Sequence, residues 1–154
     1  MNPPRRSPLI LIVDDDTVTN QMIQTILAWA GFDTACAFDV AGPLAGIREH
    51  HPDLILLDVS LPDGSGFDVC RQIQGEPGAS QAPVLFISSN EDVSTKVQGF
   101  EAGGVDYITK PLAGAEIIAR VRTHLRLKQA YEMLAELQAE RIQWLATAQE
   151  ALMP

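Results

Sequence analysis

Four short apolar runs in this chain each end in residues that could handle a phosphoryl group or a metal ion. Along the sequence these are Asp14 and Asp15 after residues 9–13, Asp58 after 54–57, Ser88 after 84–87, and Lys110 after 107–109. In an open parallel sheet, the carboxyl ends of all strands open into one crevice where ligands bind. A single Asp is more often an exposed carboxylate or a helix cap. The ordered set instead predicts a phosphoryl-transfer site centred on Asp58.

The three acids suggest a metal site. Carboxylates held within a few ångströms of one another repel and raise one another's pKa values. A divalent cation removes that conflict, and Mg²⁺ is usually held by one or two carboxylates together with phosphate oxygens. The sequence therefore predicts Mg²⁺ on Asp15 and Asp58, with Asp14 in support. Asp58 would be the nucleophile, while Lys110 neutralises charge on the incoming phosphoryl group and Ser88 donates a hydrogen bond.

The elements that must position these residues follow from the alternation of apolar runs with amphipathic stretches, which is typical of βα units. The predicted strands are residues 9–13, 34–37, 54–57, 84–87 and 107–109. The first helix has Thr17 as its predicted cap and ends at Gly31, and residues 75–81 are predicted to form a loop. Right-handed crossovers then give an α/β, flavodoxin-like (βα)5 fold with a doubly wound parallel sheet of order 2-1-3-4-5.

Composition limits the class of protein. The chain has 154 residues, 46% hydrophobic and 20% charged, and a formal net charge of −9. This size fits one domain with an appendage, and the charge favours protein partners over nucleic acid or a membrane surface. Cys36 and Cys70 fit neither a disulfide framework nor a zinc site, so we expect buried, reduced thiols. The apolar run behind Arg5 and Arg6 is too short for a signal peptide, which predicts a cytoplasmic protein.

The last segment predicts one long helix. No Gly or Pro occurs over residues 116–153, a length of roughly 55 Å as a helix. Apolar residues first follow a heptad and then shift by an eleven-residue step that resembles a stutter: Leu127, Ala130, Leu134 and Leu137, then Leu145, Ala148 and Leu152. We expect an N-terminal disordered arm over residues 1–8, a compact domain over 9–125 and a coiled-coil linker over 126–154 that forms a homodimer. The alternative is an amphipathic helix folded back on its own domain.

Four stretches of the sequence resemble those of response-regulator receiver domains. They are LILIVDDD at residues 9–16, DLILLDVSLPDGSGFDVC at 53–70, PVLFISSN at 83–90 and GGVDYITKP at 103–111. The resemblance covers about residues 7–125, and the four motifs together are highly specific. It implies a two-component signalling domain whose phosphoryl donor is a phosphohistidine on a histidine kinase or phosphotransfer protein. The receiver itself would catalyse that transfer and its own dephosphorylation, and would not otherwise be an enzyme.

The resemblance also implies roles for the acids and the lysine. Asp58 would be the phosphoacceptor, and Asp14 and Asp15 would form the acidic pocket that holds Mg²⁺. The backbone carbonyl of Ser60 would be a further metal ligand. Lys110 would pair with the phosphoryl group.

Further positions match the family's switch and its lifetime control. Ser88 and Tyr107 match the switch pair, in which the hydroxyl turns toward the phosphoryl group and the aromatic ring moves inward. A half-buried strand aromatic is the alternative for Tyr107. Pro111 matches the proline after the lysine, where the peptide is commonly cis. Ser60 and Asn90 occupy the two positions that tune phosphoryl lifetime, and neither is an acid.

In this family phosphorylation shifts a pre-existing equilibrium that is read out on the fourth helix, fifth strand and fifth helix. Here the fifth helix runs on into the coiled coil, so the change could reach an output domain or effector beyond it. Residues 140–154 resemble the linker that precedes PP2C-like serine phosphatase domains. Diguanylate cyclase and kinase outputs are further options.

Two alternatives stay open. Asp14, Asp16 and Val18 fit the D-x-D-x-[TV] opening of haloacid-dehalogenase-like phosphatases. That family needs a later acidic pair for its metal, but no Asp follows Asp106, and Asp58 would have no role. A pseudo-receiver would keep the fold without switching, although it normally lacks acids, acceptor or lysine that this chain retains.

One basic cluster lies at the start of the long helix, at Arg120, Arg122, His124, Arg126 and Lys128. No recognition helix or zinc finger accompanies it. We therefore expect a solvated face or a protein contact, with no direct binding to nucleic acid and no membrane association.

Overall fold

The computed structural model describes residues 7–76 and 82–152. Most of the predicted arm at residues 1–8 and of the predicted loop at 75–81 lies outside these ranges. The end of the predicted helical linker, residues 153 and 154, also lies outside them.

The sheet has five parallel strands: β1 (Leu9–Val13), β2 (Asp33–Ala37), β3 (Leu54–Asp58), β4 (Val84–Ser88) and β5 (Asp106–Thr109). Their order is β2-β1-β3-β4-β5, which confirms the predicted flavodoxin-like order. Four of the strands are one residue longer than predicted, so Asp58 and Ser88 are the last residues of β3 and β4. A two-stranded hairpin, Ser60–Leu61 with Gly64–Ser65, follows β3 and was not predicted.

Helices cover both faces of the sheet: α1 (Thr17–Trp29), α2 (Gly42–His50), α3 (Gly66–Gly75), α4 (Val93–Glu101) and α5 (Gly114–Leu152). Successive strand side chains point to opposite faces, so an unbroken apolar run supplies two cores. One core joins the sheet to α1 and α5, and the other joins it to α2 and α3. The fold is therefore doubly wound, as predicted.

The start of α1 differs from the prediction. The cap is Asp16 and not Thr17, because the Asp16 side chain accepts hydrogen bonds from the backbone N–H groups of Val18 and Thr19. Thr17 is the first residue inside the helix. The predicted stop is correct, since Gly31 takes a φ of 93° that suits glycine.

The expectation of two buried thiols is half wrong. Cys70 on α3 is buried, but Cys36 is exposed. Cys36 lies on β2, which is an edge strand, and that strand is buried only at Ala37. An apolar neighbourhood in the sequence could not distinguish an edge strand from a central one.

The long helix α5 begins at Gly114, two residues before the predicted start, and runs unbroken to Leu152. Its domain face buries Ile117, Val121 and Leu125. Beyond that face, residues 129–147 are all exposed. The described part of the helix therefore does not follow the folded-back alternative and projects beyond the domain.

The junction between β3 and α3 predicts a glycine requirement. A Cβ on Gly66 would lie 2.2 Å from the Asp58 carbonyl oxygen, a backbone atom that cannot move without shifting the end of β3. We expect Gly66→Ala to lower the free energy of unfolding by about 2 kcal/mol, measured by urea denaturation.

Gly75→Ala is the matched control, since it lies in the same helix and a Cβ there would meet none of the described residues within 4 Å. That substitution should be neutral or slightly stabilising. Equal effects of the two substitutions would contradict a steric origin.

Candidate functional site

The carboxyl ends of β1, β3 and β5 bring three of the predicted site residues together. Asp58 ends β3, Asp14 directly follows β1, and Lys110 directly follows β5. The Lys110 Nζ atom lies 3.4 Å from Asp58 Oδ2 and 3.5 Å from Asp14 Oδ2. Both carboxylates are buried, whereas the lysine side chain is 29% exposed. The lysine thus bridges two buried acids at the solvent boundary. Its peptide to Pro111 is cis.

The third acid completes a group that could hold a cation. Asp14, Asp15 and Asp58 each offer a carboxylate oxygen, and these atoms lie within 4.8 Å of one another. Asp14 Oδ1 accepts a hydrogen bond from the Asp16 amide at 2.9 Å. Asp14 Oδ2 is buried and accepts no hydrogen bond from the described residues, although Lys110 is near it. A buried carboxylate oxygen without a donor, beside two more carboxylates, fits a hard cation such as Mg²⁺.

Ser60 lies beside the acids, at the start of the hairpin. Its backbone amide donates a hydrogen bond of 3.1 Å to Asp58 Oδ1. This hydrogen bond from the segment after β3 restricts the orientation of the Asp58 carboxylate. The metal-ligand role of the Ser60 carbonyl stays a prediction.

Burial and the neighbouring Asp14 charge disfavour the ionised form of Asp58. Burial of Asp58, together with the negative charge of Asp14, raises the pKa of Asp58 from 3.8 to about 6. The Ser60 amide and the Lys110 amine oppose this shift but do not cancel it. Burial lowers the pKa of Lys110, yet the charges of Asp58 and Asp14 outweigh it and raise that pKa above its usual value. The amine therefore stays charged at neutral pH.

The switch candidates Ser88 and Tyr107 are connected through one backbone segment. Ser88 is 6% exposed at the end of β4, and its Oγ accepts a hydrogen bond from the backbone N–H of Asn90 at 3.0 Å. The Tyr107 hydroxyl donates to the Asn90 carbonyl at 2.9 Å. Tyr107 is only 7% exposed, so its ring is buried and not half-buried. Residue 90 thus contacts both candidates through its backbone, a relation that the sequence did not predict.

Sequence analysis also missed Asn20, a fully buried polar residue on α1. Its Nδ2 donates to the Asp14 carbonyl at 3.1 Å, with longer contacts to the carbonyls of Ala37 and Ile12. The amide therefore braces the turn that carries the acids. The available signal was an Asn within the apolar stripe that includes Ile23.

Asp16, which the dehalogenase-like alternative requires, does not point into the acid cluster. Its exposed carboxylate caps α1, and the hydrogen bonds from Thr19 and Val18 lower its pKa. This role is the ordinary one for an Asp before a helix. The geometry does not place Asp16 as a second catalytic acid.

The basic cluster is largely neutralised by the domain itself. Arg120 and His124 both contact the Asp106 carboxylate at 2.9 Å. Lys128 lies 3.4 Å from Asp53. Only Arg122 and Arg126 of the cluster are exposed, which supports a solvated face.

The crowded acids predict an unusual effect of removing one of them. Asp58→Asn should stabilise the metal-free protein at pH above 6, because it removes a carboxylate charge that is buried and is repelled by Asp14. From the Asp58 pKa of about 6, we expect a gain on the order of 2 kcal/mol, measured by urea denaturation with EDTA. Asp92→Asn is the matched control, since Asp92 is exposed and its side chain makes no capping hydrogen bond to the described residues of α4.

The gain should depend on pH with a defined sign. Between the ordinary value of 3.8 and about 6, the folded protein holds the Asp58 proton more tightly than the unfolded chain does. Wild-type stability therefore falls as pH rises through this window, and the advantage of Asp58→Asn should shrink as pH is lowered toward 4. Saturating Mg²⁺ should reverse the order by binding the folded wild type. A variant that is less stable than wild type in EDTA would contradict the predicted cost of burying the Asp58 charge beside Asp14.

The sequence matches a known protein family and is similar to curated proteins. The family model described as the response regulator receiver domain matches residues 10–122. The DNA-binding response regulator MtrA of Mycobacterium tuberculosis (strain H37Rv) is 42% identical over 117 residues, which is 76% of this chain and 50% of that protein. The master transcriptional regulator RpaA of Synechocystis is 39% identical over 77% of this chain and 49% of its own length. The chain thus spans about half the length of these curated relatives.

Solved structures share this fold. A putative response regulator from Chloroflexus aurantiacus is 33% identical with a TM-score of 0.75, over 79% of this chain and 99% of that one. NtrX from Brucella abortus is 27% identical with a TM-score of 0.80, over 86% of this chain and 30% of that one. Among the described residues, no helix is long and apolar enough to span a membrane. The family match and the shared fold together show that this chain belongs to the response regulator receiver domain family.

Proposed function

We propose that this chain is the phosphoacceptor of a two-component phosphorelay. It takes a phosphoryl group from the phosphohistidine of a histidine kinase or phosphotransfer protein onto Asp58, with Mg²⁺ as cofactor. The observation that carries this proposal is the position of Asp58 at the end of β3, where the Lys110 amine lies near both its carboxylate and the buried carboxylate of Asp14. The family membership of the chain gives the proposal its partner class.

The chemistry is an in-line transfer between two nucleophiles. An Asp58 carboxylate oxygen attacks phosphorus, the O–P bond forms as the N–P bond breaks, and the imidazole leaves with the electron pair. Mg²⁺ on Asp14, Asp15 and Asp58 would neutralise negative charge on the phosphoryl oxygens. The positively charged Lys110 amine lies within reach of Asp58 and so stabilises the negative charge of the phosphoryl group that arrives there.

The switch can be argued from the hydrogen bonds at residue 90. The Ser88 hydroxyl oxygen accepts from the Asn90 amide, which leaves its own proton free to donate to a phosphoryl oxygen. Any movement of Ser88 toward that oxygen acts on the same peptide segment that accepts from Tyr107. Phosphorylation, which adds roughly 1.5 to 2 negative charges, would therefore shift the populations of two arrangements of this segment.

The readout surface in this proposal is the face formed by α4, β5 and α5. Exposed apolar side chains already lie on or beside α4 there, at Val97, Phe100 and Val105. The curated relatives are described as DNA-binding regulators, so a DNA-binding output joins the PP2C-like and other options for what α5 connects to. The described residues themselves are proposed to contact protein, in keeping with the chain's net charge of −9.

Intact-mass analysis after incubation with acetyl phosphate and Mg²⁺ tests the acceptor directly. We expect one phosphoryl group, mapped to Asp58, because its carboxylate is the one beside the lysine. Asp58→Ala should abolish the label. Asp68→Ala is the control and should keep it, since Asp68 is exposed on α3 and its ion pair among the described residues is with Arg71.

Two results would overturn the proposal. A label on Asp14 would revive the dehalogenase-like alternative. Absence of label from acetyl phosphate and from phosphohistidine proteins alike would indicate a pseudo-receiver.

The switch is tested by a neighbouring pair of serines. Ser88→Ala should still accept the label on Asp58 but lose the phosphorylation-dependent change in hydrogen exchange around residues 90 and 107. Ser89→Ala, whose side chain is exposed, should behave as wild type. The same exchange response in both variants would contradict the role of the Ser88 hydroxyl.

A further inference from the structure

The projecting part of α5 exposes large apolar side chains. Leu134 and Leu137 are each 55% exposed, and Leu127 is 47% exposed. Together with Ala130 they recur at alternating steps of three and four residues along the helix. A regular apolar stripe of this kind on a surface helix indicates that another surface covers it in the assembled protein.

The stripe faces away from the domain that carries it. The residues of α5 buried against the sheet are Ile117, Val121 and Leu125. At 3.6 residues per turn, the centre of the leucine stripe is rotated roughly 160° from the centre of that buried face. The helix is continuous between the two. Within the described residues, the domain that carries the helix therefore leaves the stripe exposed.

The spacing of the stripe indicates a second helix as the partner. Counted in sevens from Leu127, the a and d positions are Leu127, Ala130, Leu134, Leu137, Arg141, Trp144, Ala148 and Ala151. This register continues without the stutter that the step to Leu145 would require. Seven of these eight residues are apolar, over a length of roughly 37 Å. A sustained heptad with one polar a position is typical of a coiled coil.

We propose that α5 forms a parallel, in-register, two-stranded coiled coil with α5 of a second copy of this chain. Because each stripe faces away from its own domain, the two receiver domains lie on the outside of the pair. The helix begins after β5, at the edge of the sheet that carries Asp58, and reaches Asp53 at the start of β3 through Lys128. The coiled coil therefore extends from the opposite edge and leaves both crevices accessible.

Charges along the helix suit this arrangement. Within the described residues, neither Arg141 nor Glu140 forms an ion pair in its own chain. In a parallel coiled coil an a residue packs beside the preceding g residue of the partner. Arg141 of one copy then lies beside Glu140 of the other, in both directions. At the domain end, Arg126 at a g position lies opposite the Tyr131 ring at the partner's e position, a favourable cation–π pair.

Sedimentation equilibrium of the unphosphorylated full chain at tens of micromolar tests the pairing. We expect twice the chain mass of 16.7 kDa. Leu137→Glu should weaken the dimer by roughly a hundredfold or more, because it buries a charge in the seam. Ala139→Glu, with the same added charge on the opposite side of the helix, should leave the dimer intact.

Arg141→Leu should strengthen the dimer, since it replaces the one polar residue of the seam. Leu137 lies outside the receiver core, and an unchanged melting transition of the core would exclude misfolding of the variant. A monomeric wild type, or a dimer equally tolerant of Leu137→Glu and Ala139→Glu, would overturn the proposal.

Orientation is tested by disulfide trapping in a Cys36→Ser background. Ala130→Cys and Ala151→Cys lie at d positions near the two ends of the seam. In a parallel pair, each variant alone should cross-link with itself under mild oxidation by copper–phenanthroline. An antiparallel pair would give little self-cross-linking of either variant, and that result would overturn the parallel arrangement.

Discussion

The interaction on which this structure depends is the confinement of two carboxylates, Asp14 and Asp58, in a buried pocket with a single lysine. Neither acid is free to move into water, and one amine cannot neutralise both. The result is an Asp58 pKa raised to about 6 and a buried Asp14 oxygen without a donor among the described residues. A site with this excess of negative charge favours the binding of a cation. That preference is the physical basis for a metal-assisted phosphoryl acceptor.

The rest of the fold holds the two carboxylates and the lysine close together. Parallel strands deliver the acids and the lysine to one edge because their carboxyl ends coincide there. The amide of Asn20 fixes the turn after β1 by donating to the Asp14 carbonyl. Close contact of Gly66 with the Asp58 carbonyl fixes the end of β3. The same edge carries Ser88, whose contact with residue 90 links the pocket to the buried ring of Tyr107.

The strands and the residues that follow them could be predicted because parallel strands are short apolar runs, and Asp58 marks the end of one. Other features depend on three-dimensional context. Asp16 and Thr17 are both good cap residues, and only the geometry selects Asp16. Cys36 lies in an apolar stretch but on an edge strand, so it is exposed. Asn20 lies in an apolar stripe, where its hydrogen bonds to carbonyls of other segments could not be foreseen.

The most direct test of the central claim is a pH titration of the Asp58 carboxyl carbon by NMR, in EDTA and again with Mg²⁺. The account predicts a midpoint of about 6 without metal, because the carboxyl is buried beside Asp14. It predicts a lower midpoint with Mg²⁺, because the ion competes with the proton for the same oxygens. A midpoint near the ordinary value of 3.8 in EDTA, or one that Mg²⁺ does not change, would contradict the account.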